Sequence, residues 1–131
     1  AQEELLPFQA AMDADVPFIM VGHLSTPQAT GNDLPASVSS AIVTDLLRGR
    51  LGYDGIVITD SLAMSAVNER YAPSEAAVAA LEAGVDMVLM PAYQGVLDAV
   101  ASGRLSEERI DDSLERIVRT KLAWEDGSLG A

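Results

Sequence analysis

The chain has no cysteine, one histidine, eight lysines and arginines, and 5% aromatic residues among its 131 positions. The absence of cysteine excludes disulfide frameworks, thiolate zinc sites and a cysteine nucleophile. A single imidazole excludes multi-histidine metal sites and leaves His23 as the only ring that could pair with a nucleophile. The few cations are scattered among 20 acidic side chains, for a net charge of −12. Phosphate recognition needs clustered Lys and Arg, so nucleic acid is not an expected partner. A neutral or cationic partner fits this charge better. No segment approaches the roughly 18 to 20 consecutive apolar residues of a membrane span, and Ala1 to Leu6 has neither the basic start nor the apolar run of a leader. The catalytic inventory is therefore carboxylates, hydroxyls and one imidazole.

Apolar residues, by contrast, make up 49% of the chain, enough for one packed domain. Three β-rich runs stand out: Phe18 to Leu24, Gly55 to Asp60 and Asp86 to Met90. They lack polar alternation, which predicts parallel strands covered on both faces. Val38, Ile42, Leu46, Leu47 and Leu51 predict a helix capped by Ser39, stapled by Val38 and Val43, and closed by Gly52. A second helix is expected from an N-cap at Ser74 to Gly84, its alanines suited to close packing on a sheet, and a shorter one over Gln94 to Ala101. The last helix opens at Ser106 with Glu107 and Glu108 in its first turn. Ile110, Leu114, Ile117, Val118 and Leu122 form its expected apolar stripe. Asp112 with Arg116 and Glu115 with Arg119 are spaced for ion pairs on its wet face, where Asp111 also belongs.

LGYDGIVIT and EAGVDMVLM are one junction used twice, so the chain reads as α/β, a parallel (βα) repeat. A closed eight-stranded barrel needs about 250 residues, so three strands can form only part of one. An open sheet of this kind leaves unpaired edges, which predicts an oligomer, a domain swap, or association with a missing barrel half.

Asp60 follows four β-favouring residues and precedes a turn, which puts its carboxylate at the C-terminal end of a parallel strand, where such folds build sites. A helix-capping or loop-ordering aspartate satisfies the same position. His23 occupies the equivalent place on the first run, either as a site residue or as a hydrogen-bonded structural one. The polar segment 25–37 reads equally as a site wall or a surface loop. Met64, Met87 and Met90 read as core or wall residues.

LLPFQAAM, IMVGHLSTP, LPASVSSAIVTDLLRGRLGYDGIVITDSLAM, EAAVAALEAGVDMVLMP and RIDDSLERIVRTKL together resemble the latter part of the catalytic barrel of family 3 glycoside hydrolases, in the β-N-acetylhexosaminidase branch. The resemblance implies that residues 1–131 are a single segment from the C-terminal portion of that domain, a partial TIM (β/α)8 barrel covering roughly the last three βα units. It implies that Asp60 is the nucleophile of a retaining glycosidase, and that His23 and Met64 lie at the sugar subsite. Ser61, where the β-glucosidase branch typically carries tryptophan, favours terminal β-linked N-acetylglucosamine, in a small saccharide or muropeptide. No metal or organic cofactor is implied, and the family occurs both in the cytoplasm and at the cell surface. The branch takes its acid/base from an Asp-His pair in a D-S-H motif after a K-H-F-P-G-H-G segment, and neither motif is present. The isolated chain is accordingly expected to be inactive or nearly so. Two other readings fit less of the sequence. A receiver-like regulatory domain also ends a strand in aspartate but needs an acidic pair and a lysine missing here, and a non-catalytic scaffold or oligomerising half barrel would leave Asp60 a relic.

Overall fold

A computed structural model describes residues 3–129. Its centre is a three-stranded parallel sheet in the order β1 (Phe18–Val21), β2 (Ile56–Ser61), β3 (Met87–Leu89). Phe18 pairs with Ile56 and Val21 with Thr59, while Ile58 lies opposite Met87 and Ser61 opposite Leu89 across an irregular register. The helices are α1 (Leu6–Asp13), α2 (Pro27–Thr30), a wide helix over Ala41–Arg50, α3 (Ser65–Asn68), α4 (Pro73–Glu82), α5 (Gln94–Ala101) and α6 (Glu107–Glu125). This is the expected α/β repeat, with β1 and β3 shorter than their apolar runs and β2 of equal length, shifted by one residue. β1 stops at Val21 rather than Leu24, because beyond it the backbone pairs elsewhere: Ser37 N–H donates to the Gly22 carbonyl and Ala36 N–H to that of Leu24.

The main core lies between the sheet and its helices. Val21 and Val57 point from the strands into a cluster with Val38, Val43, Leu47, Ala80 and Val85. The alanines of α4 behave as their size suggests, since Ala76, Ala77 and Ala80 are fully buried and let that helix approach closely. Gly84 ends the same unit at φ +106, and a Cβ there would sit 2.6 Å from Thr44 Oγ1. That hydroxyl donates to the Ala83 carbonyl at 2.8 Å, so the turn needs glycine both for its dihedral and for space.

Four expectations are corrected. The sheet is fully covered on one face only: on the other, Ile56 of the central strand is buried but Phe18, Met20 and Leu89 of the outer strands are 45%, 55% and 39% exposed. The helix after Ser39 starts at Ala41 without a side-chain cap and is π-type, with i to i+5 bonds such as Leu51 N–H to the Leu46 carbonyl. Its wider turn buries Val43 and Leu47 while Leu46 stays half-buried. α4 is entered at Ala72 with Pro73 in its first turn, where a missing N–H costs nothing, so Ser74 is not its N-cap.

The last correction concerns α6. Ser106 does cap it, accepting from Arg109 N–H at 3.1 Å. Of its expected stripe, Ile110 packs against the Val78, Leu81, Ala99 and Leu105 cluster and Ile117 is half-buried, but Leu114, Val118 and Leu122 are about half exposed, and Arg109, Ser113 and Arg116 supply a polar docking beside it. The anticipated ion pairs within the helix do not form: Arg116 and Arg119 reach to Asp54, and Arg116 also to Asp86. Opposite charges held by other elements outcompete flexible neighbours on one helix face.

Candidate active site

Asp60 sits one residue from the end of β2 and shares a sheet face with the buried Ile56 and half-buried Ile58, since alternate residues of a strand point the same way. It is half-buried. Among the described residues its carboxylate makes one hydrogen bond, Oδ1 accepting from Ser61 N–H at 2.7 Å. One oxygen is thus oriented by backbone, and the other makes no hydrogen bond among the described residues.

His23 is buried, 8% exposed, just past the end of β1. Its Nε2 lies 2.9 Å from the Ser61 carbonyl oxygen, and its Nδ1 lies 2.7 Å from Ser37 Oγ. A carbonyl can only accept, so Nε2 carries the proton, and in the neutral ring Nδ1 accepts from the Ser37 hydroxyl. Both nitrogens are therefore occupied by protein. The ring links β1, segment 25–37 and the residue after Asp60. That segment is ordered: it contains α2, and Ser25 bridges Pro35 in antiparallel fashion before Ser37 meets His23. Met64 lies in the turn after β2, 45% exposed, with its N–H donating to the Ser61 carbonyl at 3.1 Å. Met87 is half-buried on β3, and Met90 is 68% exposed at φ +56 just beyond it.

A densely bonded buried polar group lies at the opposite end of the sheet. Asp86 immediately precedes β3, and its side chain is fully buried. Its Oδ2 accepts from Arg48 and from Val57 N–H at 2.9 Å; its Oδ1 accepts from the Ser113 hydroxyl at 2.7 Å and Arg116 Nη1 at 3.2 Å. Arg109 completes the knot, donating to Ser113 Oγ at 2.6 Å and to the carbonyls of Leu81 and Val85. Burial pushes the Arg48 and Arg109 guanidiniums below their ordinary range, and Asp86 opposes that shift. Asp54, equivalent to Asp86 in the repeated junction, receives Arg119 at 2.9 Å. Sequence reasoning missed this cluster, although its signals were present: Gly-x-Asp occurs twice, and Arg109, Ser113 and Arg116 share one helix face. A cleft of about 410 Å³ at this same end is lined by Met12, Pro17, Tyr53, Asp54 and Arg119 among others. These residues precede the strands or end α6, so this cleft belongs to the structural floor and not to the face carrying Asp60.

Comparison with known proteins agrees with this architecture. The family model described as glycosyl hydrolase family 3 N terminal domain matches residues 1–120. Beta-hexosaminidase A of Pseudoalteromonas piscicida is 32% identical over 155 aligned positions, covering 98% of this chain and 26% of that protein. Beta-hexosaminidase LpqI of Mycobacterium bovis is 36% identical over 132, covering 91% of this chain and 34% of its own length. The chain thus spans only about a quarter to a third of these relatives. A solved family 3 beta-N-acetylglucosaminidase from Paenibacillus sp. str. FPU-7 superposes with a TM-score of 0.87 at 43% identity, over 91% of this chain and 24% of that one. The parallel sheet with its helices is thereby part of the barrel-like N-terminal domain, and the chain belongs to glycosyl hydrolase family 3.

Proposed function

We propose that this chain supplies the nucleophile of a retaining β-N-acetylhexosaminidase acting on terminal β-linked N-acetylglucosamine, in a small saccharide or muropeptide. The observation that carries the reading is Asp60, a strand-end carboxylate with one oxygen fixed by Ser61 N–H and the other unpartnered among the described residues. The relatives' names and the resemblance of the IVITDSLAM segment support it. In the first step Asp60 attacks the anomeric carbon while an acid protonates the departing glycosidic oxygen, leaving a glycosyl ester. Water, deprotonated by the same group, then displaces the carboxylate and restores the starting configuration. The family resemblance implies an acid/base on an Asp-His loop outside this chain, and His23, with both ring nitrogens engaged by protein, is not assigned that role. Met64, exposed in the turn after Asp60, is proposed to line the sugar subsite.

Replacing Asp60 with glycine in the full-length protein should lower kcat/KM by a factor on the order of 10⁴ or more. Azide should rescue the variant and yield the α-configured glycosyl azide, because it fills the face the carboxylate vacated. Unimpaired turnover, or a β-configured product, refutes the assignment. The 131-residue chain alone should show no turnover of an unactivated N-acetylglucosaminide.

A further inference from the structure

The geometry points to His23 as a positioning residue for the nucleophile, acting through the peptide that follows Asp60 rather than by touching the sugar. The inference rests on Asp60 being the nucleophile. It is carried by one peptide unit, Ser61–Leu62. Its carbonyl accepts from His23 Nε2 at 2.9 Å on the β1 side, and its N–H donates to the Leu89 carbonyl at 3.0 Å on the β3 side. The ladder between β1 and β2 has already ended at Val21 and Thr59. The imidazole therefore replaces the missing backbone partner with a side chain. On the other side of the Ser61 α-carbon, the Ser61 N–H holds Asp60 Oδ1 at 2.7 Å. Fixing the Ser61 carbonyl constrains the rotation of the residue whose amide orients the carboxylate.

The ring is itself clamped. Ser37 is fully buried and bonds Nδ1 at 2.7 Å, and the residues flanking His23 receive backbone bonds from Ser37 N–H at 3.2 Å and Ala36 N–H at 3.0 Å. Such a frame gives the imidazole little freedom to turn a nitrogen toward a ligand. The Ser61 carbonyl also accepts from Met64 N–H, so removal of the ring loosens the peptide without releasing it. Outer partners that orient the ligands of metal sites are worth about 10- to 100-fold in activity, and a loss of the same order is expected for this analogous orienting contact.

Two amides separate the roles of the two nitrogens. In His23→Gln the terminal amide can reach the Ser61 carbonyl as Nε2 does, whereas His23→Asn keeps a polar group near Nδ1 and loses that reach. Both variants are made in the full-length protein, with thermal unfolding as the folding control. The readouts are the rate of glycosyl-enzyme formation from a dinitrophenyl β-N-acetylglucosaminide, whose leaving group needs no acid, and the Kd of free N-acetylglucosamine. Positioning predicts that His23→Asn slows intermediate formation about 10- to 100-fold with Kd changed less than about twofold, and that His23→Gln recovers most of the rate. Loss of sugar affinity in parallel with rate, without recovery by Gln, makes His23 a sugar contact and overturns the inference. An unchanged rate in His23→Asn overturns it as well. If His23→Asn does not fold, Ser37→Ala carries the test: a slower rate at unchanged Kd supports positioning, and an unchanged rate opposes it. A surviving rate in Asp60→Gly instead refutes the nucleophile itself, whatever the His23 variants do.

Discussion

Tyr53 shows how one side chain can tie a junction together and make it sensitive to pH. It is 6% exposed, and its hydroxyl donates to the Val16 carbonyl at 3.0 Å, joining the entry to β1 with the entry to β2. Gly55 leaves room for the ring, since a Cβ there would lie 2.3 Å from the phenol oxygen. Burial raises the phenol from 10.0 to about 12, with Arg48 opposing and Asp86 adding to the shift. The neutral form is therefore favoured more strongly in the folded protein than in the unfolded one. This contribution to stability is complete below pH 10.0 and is lost as pH rises from there through about 12. Denaturant midpoints measured across that window should fall in the parent and fall less in Tyr53→Phe. At neutral pH the phenylalanine variant should be less stable by about 1 kcal/mol, for the lost hydrogen bond. A parallel alkaline decline in both proteins would assign it to other groups.

At the scale of elements, α6 is held by charge and hydrogen bonds in addition to the apolar contact of Ile110 that its sequence suggests. Its 19 residues place Arg109, Ser113 and Arg116 on one side: the buried Asp86 accepts from Ser113 and Arg116, while Arg109 donates to Ser113 and to backbone carbonyls. The wide helix contributes Arg48 to the same carboxylate, so one aspartate fastens two helices to the start of β3. Asp86→Ala would remove the buried carboxylate that pairs with Arg48 and Arg116 and accepts from the Ser113 hydroxyl and the Val57 N–H, at a cost of about 3–5 kcal/mol. Arg104 makes as many ion pairs, with Glu75 and Glu82, but all three side chains are about 40% exposed. Water and salt screen them, so Arg104→Ala should leave the unfolding midpoint nearly unchanged. Equilibrium unfolding of the two variants checks the contrast, and equal losses would show that burial does not set the strength of these pairs.

Considered whole, the molecule has a finished side and an unfinished one. Helices cover the side bearing Val21 and Val57, while the side bearing Asp60 also presents Phe18, Met20 and Leu89 to solvent. Apolar surface next to unpaired strand edges favours further association. The isolated chain is expected to self-associate in light scattering, and a monodisperse monomer would contradict this. The remaining wall of a barrel, supplied within a longer protein, would cover the same surface and bring the acid/base to Asp60.

How much was legible beforehand follows from the range of the interactions involved. The (βα) repeat, the boundaries of α5, the Ser106 cap and the strand-end position of Asp60 depend on local periodicity, turn chemistry and neighbours in sequence, and all could be read from the chain. Tertiary structure alone decided that His23 bonds Ser37 and Ser61, 14 and 38 residues away, because nothing local shows which distant backbone groups lack partners. It also decided which face of α6 is buried. Hydrophobic spacing favoured a stripe of which Ile110 and Ile117 are partly buried while Leu114, Val118 and Leu122 stay half exposed, because a fully buried Asp86 requires its cations and satisfying that charge outweighed covering the whole stripe.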